Sequence, residues 1–191
     1  MSGEFISAEM LRKIPIFGRM NDTERRQLAE IGETVSYAPG DVILRQGGSS
    51  QNLWVVLVGN CEVVKDPDAN QTRAKEVRLA MLEPYSNFGE MSFFHPAPHS
   101  ASVRAQSAVK LLRIERADYE ELVEEGASAA YKLSCNAIDS LAERLRRMDE
   151  WVAELLLAAA PGAEAASDGV VSERVPEWSR FRDKLFTGWN L

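Results

Sequence analysis

The residues of this chain best suited to bind a ligand lie in one stretch, residues 87–105. Its first part predicts a loop that turns into a short helix, and the free backbone N–H groups at the start of a helix attract anions. Gly89 has no side chain to keep a ligand away from this backbone. His99 and Ser100 follow, and both side chains can donate hydrogen bonds. The stretch therefore predicts a site for a ligand that carries a phosphate.

Metal binding and catalysis are not predicted. His95 and His99 are the only histidines of the chain, and the two prolines near them exclude the helical spacing of a metal-binding pair. Cys61 falls in a predicted strand and Cys135 in a predicted helix, so neither forms a Cys-His arrangement, and no Ser-His-Asp arrangement is visible. We therefore expect no metal site, no catalytic residue and no enzymatic activity.

The composition excludes several classes of protein. The 191 residues, 45% of them hydrophobic, suffice for one domain with a core plus appendages. The net charge of −7 argues against DNA binding. No apolar run approaches the ~20 residues of a membrane helix. The N-terminus also lacks the basic and apolar regions of a secretory signal. With two cysteines that lack metal-type spacing, we expect a cytoplasmic protein that binds neither DNA nor membranes.

Short β-strands must position the ligand stretch. Between Thr34 and Ile114, apolar runs recur at a spacing of roughly 8–12 residues with glycine and proline between them, which is typical of a sandwich, jelly roll or barrel. Gly59 and Asn60 separate two β-rich runs and predict a tight hairpin. The seven predicted strands cover residues 34–37, 41–44, 53–58, 61–64, 76–81, 102–105 and 109–114.

Helices are predicted on both sides of the strands. Asn21 stands three residues before Glu24, which is the spacing of a capping box. Gly32 is expected to end the helix that follows as a C-cap glycine, and Gly126 to end another helix after the last strand.

A long helix is predicted from about Ser128 to Ala160. Its apolar residues alternate at spacings of three and four, which is a heptad pattern sustained for three heptads. This pattern favours a homodimer seam over packing of the helix on its own domain, which remains the alternative. The seam residues are Ile138, Leu141, Leu145, Met148, Val152 and Leu155.

The chain after the long helix divides into a linker and a tail. Residues 161–175 are small and polar, and residues 176–191 predict a short amphipathic helix. Its apolar residues pack on the same domain or on the dimer partner, or else they dock on another protein. These residues are Trp178, Phe181, Leu185 and Trp189.

Taken in order, several motifs resemble the cyclic nucleotide-binding domain family, the Crp-like regulatory β-roll. The resemblance covers about residues 8–155 and implies a mainly β fold. This fold is a double-stranded β-helix, or jelly roll, with N-terminal helices, a long C-terminal dimerisation helix and a short tail helix. The motifs are Pro39-Gly40-Asp41-Val42-Ile43, Gln46-Gly47, Leu57-Val58-Gly59-Asn60, Phe88-Gly89-Glu90 and Ser102-Val103-Arg104-Ala105.

The resemblance implies roles for the residues of the ligand stretch. In the family, Phe-Gly-Glu opens a phosphate-binding cassette whose glutamate accepts a hydrogen bond from the ribose 2′-OH of cAMP or cGMP. The family usually keeps an arginine for the cyclic phosphate at the position of His99. A neutral imidazole offers one donor and no charge, and losing the charged pair costs about 2–4 kcal/mol. The implied binding residues are Phe88, Gly89, Glu90, Met91, Ser92, His99, Ser100 and Ala101.

Two functions follow as expectations. The first is a stand-alone regulatory module that binds a cyclic nucleotide or a related phosphate ligand and signals through a helical dimer interface. The second is a degenerate, ligand-free β-roll that serves as a dimeric interaction scaffold through its tail. About 30 residues follow Ala160, too few for the helix-turn-helix domain of catabolite activators. The expected regions are residues 8–125 for the β-roll, 127–160 for the long helix, 161–175 for the linker and 176–191 for the tail.

Overall fold

The computed structural model describes residues 6–66 and 76–158. Within these ranges the chain forms two four-stranded sheets and five α-helices, with a short 3₁₀ turn at Pro15–Phe17. The strands are β1 Gly32–Tyr37, β2 Val42–Leu44, β3 Asn52–Val58, β4 Cys61–Lys65, β5 Val77–Leu82, β6 Asn87–Phe88, β7 Ser102–Ala105 and β8 Val109–Glu115. The helices are α1 Ala8–Leu11, α2 Asp22–Glu30, α3 Glu90–Phe94, α4 Arg116–Glu124 and α5 Ser128–Ala158.

The two sheets have the strand order of a jelly roll. One sheet runs β1-β8-β3-β6 and the other β2-β7-β4-β5, and every neighbouring pair is antiparallel. Consecutive strands therefore alternate between the sheets along most of the chain. This arrangement confirms the predicted fold class. All seven predicted strands are present within one or two residues of their expected bounds, and β6 is the one strand of the described chain that was not predicted.

The predicted hairpin at Gly59 and Asn60 was wrong. β3 pairs with β6 and β8, and β4 pairs with β5 and β7, so these two residues carry the chain from one sheet to the other. Gly59 has a φ of 81°, and a Cβ there would lie 2.3 Å from the carbonyl oxygen of Ala108. This positive φ is the backbone conformation that the pair Gly59 and Asn60 predicted. β3 nevertheless lies between β8 and β6 in its sheet, so both of its edges are paired and β4 lies in the other sheet.

β3 is buried on both of its faces because it lies between two apolar clusters. Trp54 and Val56 face the interior between the two sheets. Leu53 and Val55 face the opposite side and pack with residues of the N-terminal helices and of α5. This double burial explains the continuous apolar run of β3, in which the alternation of a half-exposed strand is absent.

The N-terminal helix α2 begins and ends where predicted, but Gly32 has a different role from the one expected. The side chain of Asn21 accepts a hydrogen bond from the backbone N–H of Glu24, and the Glu24 carboxyl group accepts one from the backbone N–H of Asn21, which confirms the capping box. α2 ends with Ile31 as its C-cap, directly before Gly32, but Gly32 lacks the positive φ of a C-cap glycine. It is the first residue of β1, and a Cβ there would lie 2.5 Å from Cδ1 of Leu112. Close packing, rather than a left-handed backbone, therefore explains this glycine.

α4 ends as predicted at Gly126, which has a φ of 70°. The N–H of Gly126 donates to the carbonyl of Val123, and the N–H of Ala127 donates to that of Leu122. These two bonds form a Schellman motif, which satisfies carbonyls at the end of the helix. α5 then starts at Ser128.

The chain divides into two compact units, one up to Ser140 and one from Leu141. In both units, residues of the predicted seam are exposed in the single chain. Ile138 is 64% exposed, Leu145 54% and Met148 53%, whereas Leu141 and Val152 are half-buried. The side chain of Leu155, the linker and the aromatic tail lie outside the described residues.

Candidate ligand-binding site

The turn into α3 is made by Gly89. Its φ of 81° lies in the left-handed region. A Cβ at this position would lie 2.5 Å from the carbonyl oxygen of Asn52 and 3.2 Å from Cδ1 of Trp54. Only glycine fits both the backbone angle and the space. The start of the predicted ligand stretch is thus packed directly on β3.

Glu90 places a buried carboxyl group at the first position of α3. Its side chain is 2% exposed, and the side-chain amide of Asn87 lies 3.4 Å from one of its oxygens. A carboxyl group this deeply buried is expected to keep hydrogen-bond partners. Carboxyl oxygens accept readily from hydroxyl groups, so Glu90 is chemically suited to a sugar hydroxyl.

Phe88 has a packing role in the structure. It lies in β6 opposite Trp54, and the two rings stack with centroids 6.1 Å apart and planes within 6°. Phe88 is 4% exposed and belongs to the cluster between the sheets. Its ring therefore fixes the entry of the ligand stretch against β3.

His99 is the centre of the site. The side chain is 7% exposed, and both ring nitrogens are hydrogen-bonded. Nε2 lies 2.8 Å from Oγ of Ser50, and Nδ1 lies 3.0 Å from Oγ of Ser92. Ser92 Oγ also donates to the carbonyl of Gly89 at 3.2 Å. His99 thus links the first turn of α3 to the loop between β2 and β3.

The backbone of His99 is fixed by a glycine turn in the same loop. The N–H of His99 donates to the carbonyl of Gly48 at 2.8 Å, and the N–H of Gly47 donates to the carbonyl of His99 at 2.9 Å. A Cβ on Gly48 would lie 2.9 Å from the carbonyl of Arg45 and 3.3 Å from Cδ2 of His99. The Gln46-Gly47 motif noted in the sequence therefore leads into the turn that holds the histidine.

Burial lowers the pKa of His99 from its ordinary value of 6.5. Desolvation disfavours the charged imidazolium, and the nitrogens contact neutral hydroxyl groups. The imidazole is therefore neutral at pH 7. This differs from an arginine, which carries its charge whether or not a ligand is bound.

Arg104 does not replace the missing arginine. Its guanidinium group lies 2.6 Å from the carboxyl group of Glu76 and 3.6 Å from that of Glu62. Both partner residues lie outside the ligand stretch, Glu62 in β4 and Glu76 directly before β5.

The remaining predicted binding residues are less enclosed. Met91 is 60% exposed, Ser100 is exposed and Ala101 is half-buried. The carbonyl of Met91 accepts from the N–H of His95 and closes the last turn of α3. The structure therefore brings Gly89, Ser92 and His99 together. Met91, Ser100 and Ala101 lie at the periphery of that contact network.

Two residues of the site were not predicted from the sequence. Ser50 lies 49 positions before His99 in the sequence. The one sequence feature that could have pointed to it is its position shortly after the Gly47-Gly48 pair. Trp54 is 2% exposed, and its indole N–H has no hydrogen-bond partner among the described residues. A buried unsatisfied donor costs about 1–3 kcal/mol, which makes this N–H a candidate for a role in the site.

Neither a metal cluster nor a membrane helix is found in the described part of the chain. Within residues 6–66 and 76–158, no three His, Cys, Asp or Glu side chains come together in a way that could hold a metal ion. In the same ranges, every helix is too short or too polar to cross a bilayer.

Comparison with known proteins gives a consistent family signal. The family model described as "Cyclic nucleotide-binding domain" matches residues 34–126, which include the whole ligand stretch. The chain is similar to a cAMP-dependent protein kinase regulatory subunit of Blastocladiella emersonii, with 27% identity over 113 residues. That match covers 59% of this chain and 27% of the relative, so the chain spans about a quarter of its length.

Two solved structures share the fold. The catabolite activator protein of Thermus thermophilus is 28% identical with a TM-score of 0.65, and the match covers 76% of this chain and 64% of that one. A cyclic nucleotide-binding domain from Methylobacillus flagellatus is 20% identical with a TM-score of 0.67, covering 85% and 84% of the two chains. The second likeness concerns the fold alone.

Proposed function

Since residues 34–126 of this chain form a member of the cyclic nucleotide-binding domain family, we propose that the protein is a regulatory module that binds a cyclic nucleotide. The ligand is of the cAMP or cGMP type, or a related phosphate compound, and it binds in the β-roll. The module signals through a dimer interface on α5 and carries out no chemical reaction.

One observation supports this proposal, namely the contact network that joins Gly89, Ser92 and His99 of the predicted cassette. Gly89 has the required left-handed backbone, Glu90 is 2% exposed, and His99 contacts the first turn of α3 through Ser92. These contacts support Glu90 as the carboxyl acceptor for the ribose and His99 as the group for the phosphate. The buried indole N–H of Trp54 adds a donor beside Gly89.

The signalling part of the proposal rests on α5. Three apolar residues of the heptad seam, Ile138, Leu145 and Met148, are more than half exposed in the single chain. Exposed apolar side chains in a heptad repeat are favourable when a second helix covers them. Ligand binding would then bias the dimer by stabilising one arrangement of the helices over another.

A specific observation also favours the second candidate, a ligand-free β-roll that serves as a dimeric scaffold. Both nitrogens of His99 are already satisfied by serine hydroxyl groups of the same chain. The network is therefore complete without a ligand, as it would be in a fold kept for its interactions.

Calorimetry separates the two candidates. The protein is titrated with cAMP, cGMP and cyclic dinucleotides at pH 7.5 and at pH 6.0. Saturable binding of any of them supports the regulatory module. If neither the parent protein nor His99→Arg gives a binding heat with any of these nucleotides at either pH, the regulatory module is rejected and the scaffold remains.

A further inference from the structure

The hydrogen bonds around His99 favour one position for the proton of the neutral ring. We assign the single hydroxyl proton of Ser92 to the carbonyl of Gly89, which lies 3.2 Å away. With this assignment, Nδ1–H is the donor in the contact of 3.0 Å between Ser92 Oγ and Nδ1. In the neutral ring, Nε2 is therefore the acceptor, and the hydroxyl of Ser50 donates to it at 2.8 Å.

This direction has a consequence for the hydroxyl of Ser50. When Nε2 takes a proton from solvent, it becomes a donor, and Ser50 Oγ becomes the acceptor of the same contact. The hydroxyl proton of Ser50 is then released from His99 and can be donated to a ligand oxygen. No heavy atom has to move, since only the hydroxyl rotates. Ser50 is an exposed residue, so its hydroxyl is accessible to a ligand.

We infer that Ser50 and His99 together form the phosphate-binding element of the pocket, and that ligand binding takes up one proton at Nε2 of His99. This inference rests on the proposed function and specifies how its ligand is held. The phosphate oxygen accepts the hydroxyl proton of Ser50, and the imidazolium behind it supplies the charge that an arginine supplies in the family pattern.

The surrounding charges are consistent with a proton that arrives with the ligand. The titratable groups on the neighbouring elements are Glu90 in α3, His95 at the end of α3, and Arg45 before the glycine turn. Glu90 is the buried one of these, whereas His95 and Arg45 are exposed. Without a ligand, burial keeps His99 neutral. An adjacent phosphate would stabilise the imidazolium and so draw the proton in.

The test is calorimetry with cAMP at pH 7.5 in two buffers that differ in ionisation enthalpy, since the difference in heat gives the number of protons taken up. We expect about one proton per ligand for the parent protein and about none for His99→Arg. Ser50→Ala should keep the uptake but bind about tenfold more weakly, because a hydrogen bond to a charged group is lost. Ser49→Ala, the neighbouring exposed serine, should behave like the parent protein.

The outcomes distinguish this inference from the proposed function. Binding by the parent without proton uptake, or with equal affinity at pH 7.5 and pH 6.0, would overturn the inference and leave the function intact. Binding by His99→Arg but by the parent at neither pH would also overturn it, while showing that the pocket accepts the nucleotide. If no form of the protein binds at either pH, both fail.

Discussion

The carboxyl group of Glu24 in α2 lies 2.8 Å from the ammonium group of Lys132 in α5. The same carboxyl group accepts hydrogen bonds from the backbone N–H of Asn21 and from the hydroxyl of Ser128. One residue therefore caps α2 and joins it to the first turns of α5. These are the helices that flank the β-roll in sequence, so their connection bears on how the fold is held together.

This connection predicts a pH dependence of stability. The hydrogen bond from Lys132 and that from the Asn21 backbone lower the pKa of Glu24 from 4.5 to about 2. A depressed pKa in the folded state gives stability that is complete above the unfolded value of 4.5 and is lost as the pH falls towards 2. We expect Glu24→Gln to reduce the free energy of unfolding at pH 7 by about 1–2 kcal/mol and to flatten its decline below pH 4.5.

Urea denaturation between pH 3 and pH 7 measures this effect. Glu30→Gln, an exposed glutamate of the same helix, is the matched control and should preserve the parent's pH profile. An unchanged profile in Glu24→Gln would show that the contact with Lys132 has no energetic role.

Because the chain crosses between the sheets at Gly59, we predict that alanine at Gly59 reduces stability more than alanine at Gly40. Gly40 and Gly59 both have positive φ, 90° and 81°, but a Cβ on Gly40 meets nothing within 4 Å. Gly40→Ala should therefore cost only the backbone strain, about 1–2 kcal/mol. Gly59→Ala should cost at least about 2 kcal/mol more, because its Cβ would overlap the carbonyl of Ala108. Equal losses in denaturant titrations would contradict the close approach.

The seam on α5 predicts the oligomeric state. The parent protein should sediment at twice its chain mass of 21.2 kDa. Leu145→Glu places a charge among the exposed apolar residues of the seam and should produce monomers. Ala153→Glu, an exposed position outside the seam, should leave the dimer intact. A parent protein that is already monomeric at micromolar concentration would refute the seam.

We predict that the indole N–H of Trp54 contributes to ligand binding. Trp54→Phe keeps an aromatic ring against Phe88 but removes the donor that has no partner in the described chain. We expect the affinity for cAMP to fall about tenfold while the protein stays folded, because one hydrogen bond to the ligand is lost. Circular dichroism controls for folding, and an unchanged affinity would mean that this N–H does not face the ligand.

Local signals in the sequence predicted most of the fold. The glycine and proline spacing located seven strands, and the pair Asn21 and Glu24 located the start of α2. β6 was not predicted because its two residues are too few to show an alternation. The hairpin at Gly59 was wrong because the choice of strand partners depends on β8, which is far along the chain.

The site was predictable to a similar extent. The motifs Phe88-Gly89-Glu90 and Ser102-Val103-Arg104-Ala105 located the stretch that holds Gly89 and His99, and the binding of a ligand by these residues stays a prediction. The role of Ser50 was not predictable, since it depends on a contact across 49 positions. The burial of His99, which lowers its pKa, likewise appears only once α3 and the glycine turn are brought together.

The most direct test of the account is the affinity of the parent protein and of His99→Arg for cAMP and cGMP, measured by calorimetry at pH 7.5 and pH 6.0. We predict that His99→Arg binds about 30- to 1,000-fold more tightly at pH 7.5, because the arginine is charged before binding whereas His99 must first take up a proton. We also predict that the parent binds more tightly at pH 6.0, whereas the affinity of the arginine variant does not change. Absence of binding by both proteins at both pH values would contradict the claim that this β-roll holds a cyclic nucleotide.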